Sequence, residues 1–145
     1  MKVVLQRVKE ASVKVNNKEI SAIKNGILVL VGIDKGDNLT QAEFLASKIA
    51  NLRIFPDVEG KMNLSVKDAN GSILVVSQFT LSGDCRKGKR PSFDSAEHPL
   101  KAEPLYEQFV ELIKKEGITV ETGSFGAMME IHLINDGPVT FIVEK

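Results

Sequence analysis

Hydrogen-bonding side chains cluster where a strongly apolar segment ends. Ser77, Gln78 and Thr80 follow the run ILVV, within the stretch SQFTLSGD. Polar groups at the end of a buried strand often line a binding or catalytic site. The same residue types also satisfy the backbone of an ordinary turn, and these residues alone do not choose between the two interpretations.

The chain offers little material for a nucleophilic triad or a metal centre. Its histidines, His98 and His132, are far apart in sequence, and no HExxH, CxxC, P-loop or GxGxxG pattern is present. Cys85 has basic neighbours, as reactive thiols often do, but an incidental surface thiol is the simpler interpretation. We therefore expect no metal and no cofactor, and a triad mechanism is disfavoured.

One basic loop, CRKGKRPSF, is the main concentration of charge in a chain whose formal net charge is zero. Its four cations lie within five residues. Such a loop is either a solvated surface feature or a contact for nucleic-acid phosphates. The cations are Arg86, Lys87, Lys89 and Arg90.

The composition predicts an ordinary globular domain. The 145 residues are 43% apolar and 26% charged, and we assign residues 1–145 to a single domain. No apolar run reaches the roughly 18 residues that a membrane helix needs, and the N-terminal segment does not have the pattern of a signal peptide. A single cysteine excludes an internal disulfide, so a cytoplasmic protein is expected.

Hydrophobic periodicity predicts an α+β fold. Four early segments, VVLQRV, ASVKV, KEISAI and GILVLVGI, are joined by short connections and predict an antiparallel meander. The segment SILVVSQF is almost continuously apolar, which predicts a strand covered on both faces. With ITVET, MMEIHLIN and PVTFIVE, about seven or eight strands form a largely antiparallel sheet that could close into a barrel.

Two main helices are expected beside this sheet. The first covers NLTQAEFLASKIANL, with Thr40 and Glu43 as a capping box. The second covers AEPLYEQFVELIKKEG, and Gly117 ends it. Its predicted buried stripe consists of Leu105, Phe109, Leu112 and Ile113.

Two glycine-containing segments near the C-terminus have unusual patterns. HLINDGPVTFIVE predicts a hairpin with Asp136-Gly137 at its turn, but Pro138 lacks the N–H that would close that turn. In TGSFGAMMEI, two glycines flank Phe125. The two methionines that follow are either core filler or the wall of a pocket, and core filler is the simpler interpretation.

Two of these motifs together resemble the signatures of the D-aminoacyl-tRNA deacylases, a family first named for D-tyrosyl-tRNA. They are SQFTL, residues 77–81, and NDGPVT, residues 135–140. The resemblance extends over the whole chain through VVLQRV, GILVLVGI, KGKRPSF and TGSFGAMM, in the family's order. It implies a homodimer of barrel-like α+β subunits. Such a homodimer hydrolyses the ester that joins a D-amino acid, or mischarged glycine, to the terminal adenosine of tRNA, and it spares L-aminoacyl-tRNA.

The resemblance also implies roles for individual residues. A cis Gly137-Pro138 bond forms a tip that enters the partner's active site and acts as a chirality gate, with Arg7 supporting it. The ester is hydrolysed by water with help from the substrate's ribose 2′-hydroxyl, and a backbone N–H near Phe79 or Thr80 binds the oxyanion. The resemblance implies catalytic roles for Ser77, Gln78, Phe79 and Thr80. It implies that the aminoacyl and adenine pockets are lined by Phe125, Ala127 and Met129, and that Phe93 lies near the terminal base. It implies that the tRNA phosphates are contacted by Arg86, Lys87, Lys89 and Arg90.

Thr80 and Met128 differ from the other residues in what this resemblance implies. Thr80 has been considered a nucleophile in the family, but it has no base beside it in sequence, which favours a positioning role. Many relatives carry an acidic residue where this chain has Met128, so the rim of the pocket is expected to differ.

Two other functions compete with the hydrolase. A non-catalytic RNA-binding module would use the basic loop and its aromatic neighbours, but it would need neither the Gly137-Pro138 tip nor the Ser77-Gln78 strand end. A hydrolase of other small esters would not need the basic loop. Fold alone does not choose among the three.

Overall fold

The computed structural model describes residues 1–145, in which a curved six-stranded sheet and a two-stranded ribbon accompany two main helices. These elements confirm the α+β prediction and its strand count. The strands are β1 (Lys2–Val15), β2 (Lys18–Ile23), β3 (Gly26–Gly32), β4 (Phe55–Pro56), β5 (Met62–Leu64), β6 (Ser72–Ser77), β7 (Thr119–Thr122) and β8 (Glu130–Glu144). The helices are α1 (Leu39–Asn51), α2 (Pro99–Lys115) and a short 3-10 helix (Phe79–Ser82).

The main sheet has the order β2-β1-β3-β6-β7. Strands β2 and β3 pair with successive parts of one edge of β1, and β8 pairs with its other edge. Strand β1 is antiparallel to β2, β3 and β8, whereas β3, β6 and β7 are parallel to one another. The prediction of a largely antiparallel sheet is confirmed. The sheet is barrel-like, because Cα atoms of β2 come within 8 Å of those of β6 and β7.

The predicted four-strand meander is wrong. VVLQRV and ASVKV belong to one 14-residue strand, because no turn-forming residue separates them. The chain then returns along β1 in two steps, first as β2, with Ala11 opposite Ile23, and then as β3, with Val8 opposite Gly26. The Asn16-Asn17 turn between β1 and β2 is as predicted, with φ of 51° and 62°.

Strand β6 is covered on both faces, as its apolar run predicts. Ile73 and Val75 join the larger core under the two helices. Leu74 and Val76 point to the opposite face and join a smaller cluster with Val8 and other residues of the curved sheet. The end of β6 is therefore held firmly from two directions.

The predicted capping box of α1 and the predicted start of α2 are both wrong. The capping box of α1 consists of Asn38 and Gln41 rather than Thr40 and Glu43, because the Asn38 side chain accepts the Thr40 N–H at 2.9 Å. Helix α2 begins at Pro99 instead of Ala102, since the His98 imidazole caps it by accepting the Leu100 N–H at 3.3 Å. Neither helix is long and apolar enough to cross a membrane.

The segment HLINDGPVTFIVE does not form a hairpin. It lies in the single strand β8, which pairs with β1 on both sides of a bulge. Val8 is opposite Asn135 and Gln6 is opposite Thr140, so the four residues 136–139 bulge out opposite the single residue Arg7. Pro138 cannot close a turn, and the Asn135 amide instead donates to the Arg7 carbonyl at 3.0 Å and to the Val139 carbonyl at 3.3 Å. The Gly137-Pro138 bond in this bulge is cis.

Candidate active site

A cavity of about 680 Å³ gathers six of the predicted site residues. Most of its lining comes from three places in the sequence: the end of β6 with the 3-10 helix, the segment that leads into α2, and the loop between β7 and β8. Val31 at the end of β3, Ile33 just after it and Ile131 of β8 complete it. The six residues are Ser77, Gln78, Phe79, Phe125, Ala127 and Met129.

The first wall forms where β6 changes into the 3-10 helix. The Gln78 N–H still bonds to the Val31 carbonyl of β3, at 2.7 Å, and the helix begins at Phe79. The Gln78 side chain does not cap this helix. The N–H groups of Phe79 and Thr80 have no acceptor within the helix, and such groups at a helix start can bind an anionic oxygen.

Thr80 itself is exposed and does not line the cavity. Its hydroxyl accepts a hydrogen bond from the Gln78 side-chain amide, which is a neutral donor. No imidazole or carboxylate bonds to this hydroxyl to remove its proton. The geometry is that of a positioned side chain rather than an activated nucleophile.

The second wall is the loop between β7 and β8. Its start is fixed by Gly123, whose N–H donates to the Val75 carbonyl at 2.9 Å. A Cβ at Gly123 would lie 2.7 Å from the Met129 sulfur, so glycine allows the loop to pack this closely. Met128 is 91% exposed and Met129 half-buried, and both line the cavity as pocket wall. Met129 also packs against the smaller core cluster.

The third wall contains residues that sequence reasoning did not place in the site. Glu97 and His98 line the cavity and are its only ionisable side chains. Glu97 is held there by its N–H, which donates to the Ile33 carbonyl at 2.9 Å, and its carboxylate accepts the His98 N–H at 2.7 Å. The His98-Pro99 pair signals a helix start, but no local pattern indicates that this start lies against the end of β6.

The basic loop has a defined base outside the cavity. Asp84 and Ser92 exchange two backbone hydrogen bonds, of 2.8 and 3.0 Å, which close the loop. Arg86 donates to both carboxylate oxygens of Asp84, at 2.9 and 2.7 Å, and this pairing holds the pKa of Asp84 well below its usual range. The other three cations, Lys87, Lys89 and Arg90, are exposed and form no ion pair.

Phe93 connects the basic loop to the active-site wall. Its ring lies edge-on to the Phe79 ring, with centroids 5.1 Å apart. It does not line the cavity. A Cβ at Gly83 would come within 3.1 Å of the same ring, so the loop and the 3-10 helix are closely packed.

The bulge with Gly137 and Pro138 does not line this cavity either. Both residues are exposed. Arg7, only 9% exposed, anchors the bulge through an ion pair of 2.8 Å with Asp136 and a hydrogen bond of 2.5 Å to the Ile54 carbonyl. Within one chain, the cavity and the bulge are separate features.

Comparisons with known proteins agree on one family. The family model described as D-Tyr-tRNA(Tyr) deacylase matches residues 4–144. The D-aminoacyl-tRNA deacylase of Thermotoga petrophila is 58% identical over 145 residues, which cover 100% of this chain and 97% of that protein. The corresponding protein of Brevibacillus brevis is also 58% identical, with 100% of both chains covered.

Solved structures show the same fold. A structure described as c-Myc DNA unwinding element binding protein has a TM-score of 0.94 at 44% identity, covering 100% of this chain and 99% of its own. A probable eukaryotic D-amino acid tRNA deacylase has a TM-score of 0.82 at 19% identity, covering 98% and 97%. The second likeness concerns the fold alone.

Proposed function

Because the chain belongs to the D-Tyr-tRNA(Tyr) deacylase family and is a hydrolase of D-aminoacyl-tRNA, we propose that it releases D-amino acids and mischarged glycine from tRNA while sparing L-aminoacyl-tRNA. The match over residues 4–144 carries this proposal. The cavity supports it, because Ser77, Gln78 and Phe79 offer polar groups beside an apolar wall, where an aminoacyl ester and a nucleobase can bind together.

In the proposed reaction, water attacks the ester carbonyl carbon and gives its proton, by way of the ribose 2′-hydroxyl, to the departing 3′-oxygen. The carbonyl oxygen becomes an oxyanion that accepts hydrogen bonds from the Phe79 or Thr80 N–H. The C–O bond to the ribose then breaks, which releases the amino acid and the tRNA. The Nδ1 atom of His98, the one imidazole in the cavity, already accepts the Leu100 N–H, which favours the substrate-assisted route over an imidazole base.

The chirality gate is assigned to Gly137 and Pro138 of a second subunit. Their exposed bulge is anchored by Arg7 and Asn135, so it can present backbone carbonyls in fixed positions. Fixed carbonyls accept the amino group of a bound D-amino acid and leave no room for a side chain of the opposite hand. Selection by exclusion of this kind requires rigidity more than affinity.

The proposed assembly is a homodimer in which each bulge serves the other subunit. Strand β8 supports it, because it pairs only with β1 and carries four exposed, large apolar side chains. A long apolar edge strand normally needs a covering partner. The four side chains are Leu133, Ile134, Phe141 and Ile142.

The basic loop is assigned to the tRNA backbone, with Phe93 at its base near the terminal nucleotide. Lys87, Lys89 and Arg90 are free to contact phosphates because no carboxylate pairs with them. Arg86 contributes to this surface from a position fixed by Asp84. The enzyme would act in the cytoplasm, where it would remove mischarged tRNA from translation.

A second candidate function is nucleic-acid binding without hydrolysis. The name of the 44%-identical solved structure describes that protein as binding DNA, and the exposed basic loop is compatible with such a role. The apolar cavity beside the Ser77 strand end favours the hydrolase, since backbone binding alone does not require an apolar cavity.

The deciding experiment compares one tRNA charged with D-tyrosine, L-tyrosine or glycine, with ester release followed in the presence and absence of the protein. We expect release of D-tyrosine and glycine, with L-tyrosine at the uncatalysed rate. Release of both tyrosine enantiomers would retain the hydrolase and contradict the gate. Binding of all three tRNAs without release would favour the second candidate.

A further inference from the structure

Tyr106, a buried residue of α2, contacts two walls of the active-site cavity from behind. It is 5% exposed and does not line the cavity. Ala102, four residues earlier on the same face of the helix, does line it. Tyr106 therefore lies one helical turn beneath the cavity.

The Tyr106 hydroxyl fixes the strand that carries Ser77. It donates a hydrogen bond of 3.0 Å to the carbonyl of Val75, two residues before Ser77. The same carbonyl accepts the N–H of Gly123 at 2.9 Å, at the start of the loop between β7 and β8. One carbonyl thus joins α2, the end of β6 and the loop that forms the second wall.

The Tyr106 ring supports that second wall directly. Its centroid lies 5.6 Å from the centroid of Phe125, with the two rings inclined at 48°. Phe125 is partly buried against the core and faces the cavity with its other side. The position of Phe125 in the cavity therefore depends on the ring beneath it.

We propose that Tyr106 is a positioning residue for the hydrolysis, one that keeps the Ser77 strand end and the Phe125 wall at the spacing that the bound ester requires. This inference rests on the proposed function. Burial raises the pKa of Tyr106 to about 12, so its hydroxyl stays a hydrogen-bond donor over the range in which the enzyme works. Tyr106 does not exchange a proton with the substrate, because it is outside the cavity.

The direct test is Tyr106→Phe, which removes the hydroxyl and keeps the ring. We expect kcat for D-tyrosyl-tRNA to fall about tenfold while KM stays within about twofold, because a displaced ester reacts slowly even when the tRNA binds normally. Tyr106→Leu, which removes both contacts, should lower kcat further. The pH dependence of kcat should keep its shape in both variants.

Phe109→Leu is the matched control, since Phe109 is fully buried in the same helix and does not line the cavity. It should lower the melting temperature at least as much as Tyr106→Phe and leave kcat within about twofold of wild type. If Tyr106→Phe also leaves kcat unchanged, the proposed role is wrong and the hydroxyl serves stability alone.

A second readout does not depend on catalysis. The NMR signals of the Phe125 ring and the exchange rate of the Gly123 amide should change in Tyr106→Phe and stay as in wild type in Phe109→Leu. Unchanged Phe125 and Gly123 signals in Tyr106→Phe would overturn the inference even if kcat of that variant falls. Changed signals together with an inactive wild-type protein would refute the proposed function and leave the support of the cavity wall established.

Discussion

At the scale of single residues, Gly137 has no room for a side chain. A Cβ there would lie 2.8 Å from the Asn135 side-chain oxygen, and the Asn135 amide ties the bulge to two backbone carbonyls. Gly137→Ala must therefore move Asn135 or the tip. We expect kcat/KM for D-tyrosyl-tRNA to fall about tenfold or more in the ester-release assay, since small displacements of positioning groups have effects of this size.

Gly60→Ala controls for the cost of a glycine replacement. Gly60 has a φ of +79° and no atom within 4 Å of the added Cβ, so alanine there costs about 1 kcal/mol of stability without touching the site. Its activity should equal that of the wild type. Full activity in Gly137→Ala would refute the assignment of the gate.

Replacement of Thr80, in contrast to that of Gly137, should leave substantial activity. Its exposed hydroxyl bonds to the Gln78 amide and to no base, so its loss removes a positioning contact rather than a nucleophile. We expect Thr80→Ala to retain at least about one-tenth of the wild-type kcat. Complete loss of activity in a variant with an unchanged circular dichroism spectrum would show that the hydroxyl takes part in the chemistry.

At the scale of elements, the basic loop should control tRNA affinity and its salt dependence. Replacing Lys87, Lys89 and Arg90 together with glutamine should raise KM for D-tyrosyl-tRNA with little change in kcat. Each lost phosphate contact should reduce the slope of log affinity against log salt by about 0.7 to 0.9. Titrations at several salt concentrations measure both effects.

Three exposed lysines outside this loop supply the control. Lys18, Lys48 and Lys115 lie at the start of β2 and in the last turns of α1 and α2. Their joint replacement by glutamine changes the net charge by the same amount. An equal rise in KM for both triple variants would mean that overall charge, and not this loop, attracts the tRNA.

The elements also show which parts of the structure were predictable from the sequence. Signals that depend on the φ preference of one residue were reliable, as at the Asn16-Asn17 turn and at Gly117 after α2, whereas the capping signal at Thr40 and Glu43 was not. The bulge was mistaken for a hairpin, since Asp136-Gly137 has the same local pattern in both. Pro138, which cannot close a turn, is the local sign against a hairpin, and the pairing of β8 with β1 on both sides establishes the bulge.

The site was predictable where its residues follow one another in the chain. Ser77 to Phe79 and the loop around Phe125 were each identified, and both line the cavity. The sequence does not indicate that Glu97 and His98 line the cavity. A backbone hydrogen bond from Glu97 to Ile33 brings them to it, and pairing between distant segments leaves no periodic pattern. For the same reason the support that Tyr106 gives to Val75 was not visible in the sequence.

At the scale of the whole molecule, the cavity and the Gly137-Pro138 bulge are separate parts of one chain. The bulge is anchored through Arg7 to the Ile54 carbonyl, and neither Gly137 nor Pro138 lines the cavity. We propose that, where both act on one substrate, the bulge is supplied by a second chain. The apolar edge of β8 provides a surface on which two such chains can associate.

Mixing two variants of low activity tests this arrangement directly: Gly137→Ala, which alters the bulge, and Gln78→Ala, which removes a polar side chain that lines the cavity. A Gly137→Ala subunit keeps an intact cavity, and a Gln78→Ala subunit keeps an intact bulge. Random reassociation of equal amounts after mild denaturation makes half of the dimers mixed. In each mixed dimer, one of the two sites combines an intact cavity with an intact bulge. About one quarter of wild-type activity should therefore return. Either variant refolded alone should stay at its own low activity, and sedimentation should show dimers in every sample. Mixed dimers can regain a working site only when the cavity of one subunit acts with the bulge of the other. Dimers without recovered activity would therefore mean that the bulge acts on the cavity of its own subunit or on neither cavity.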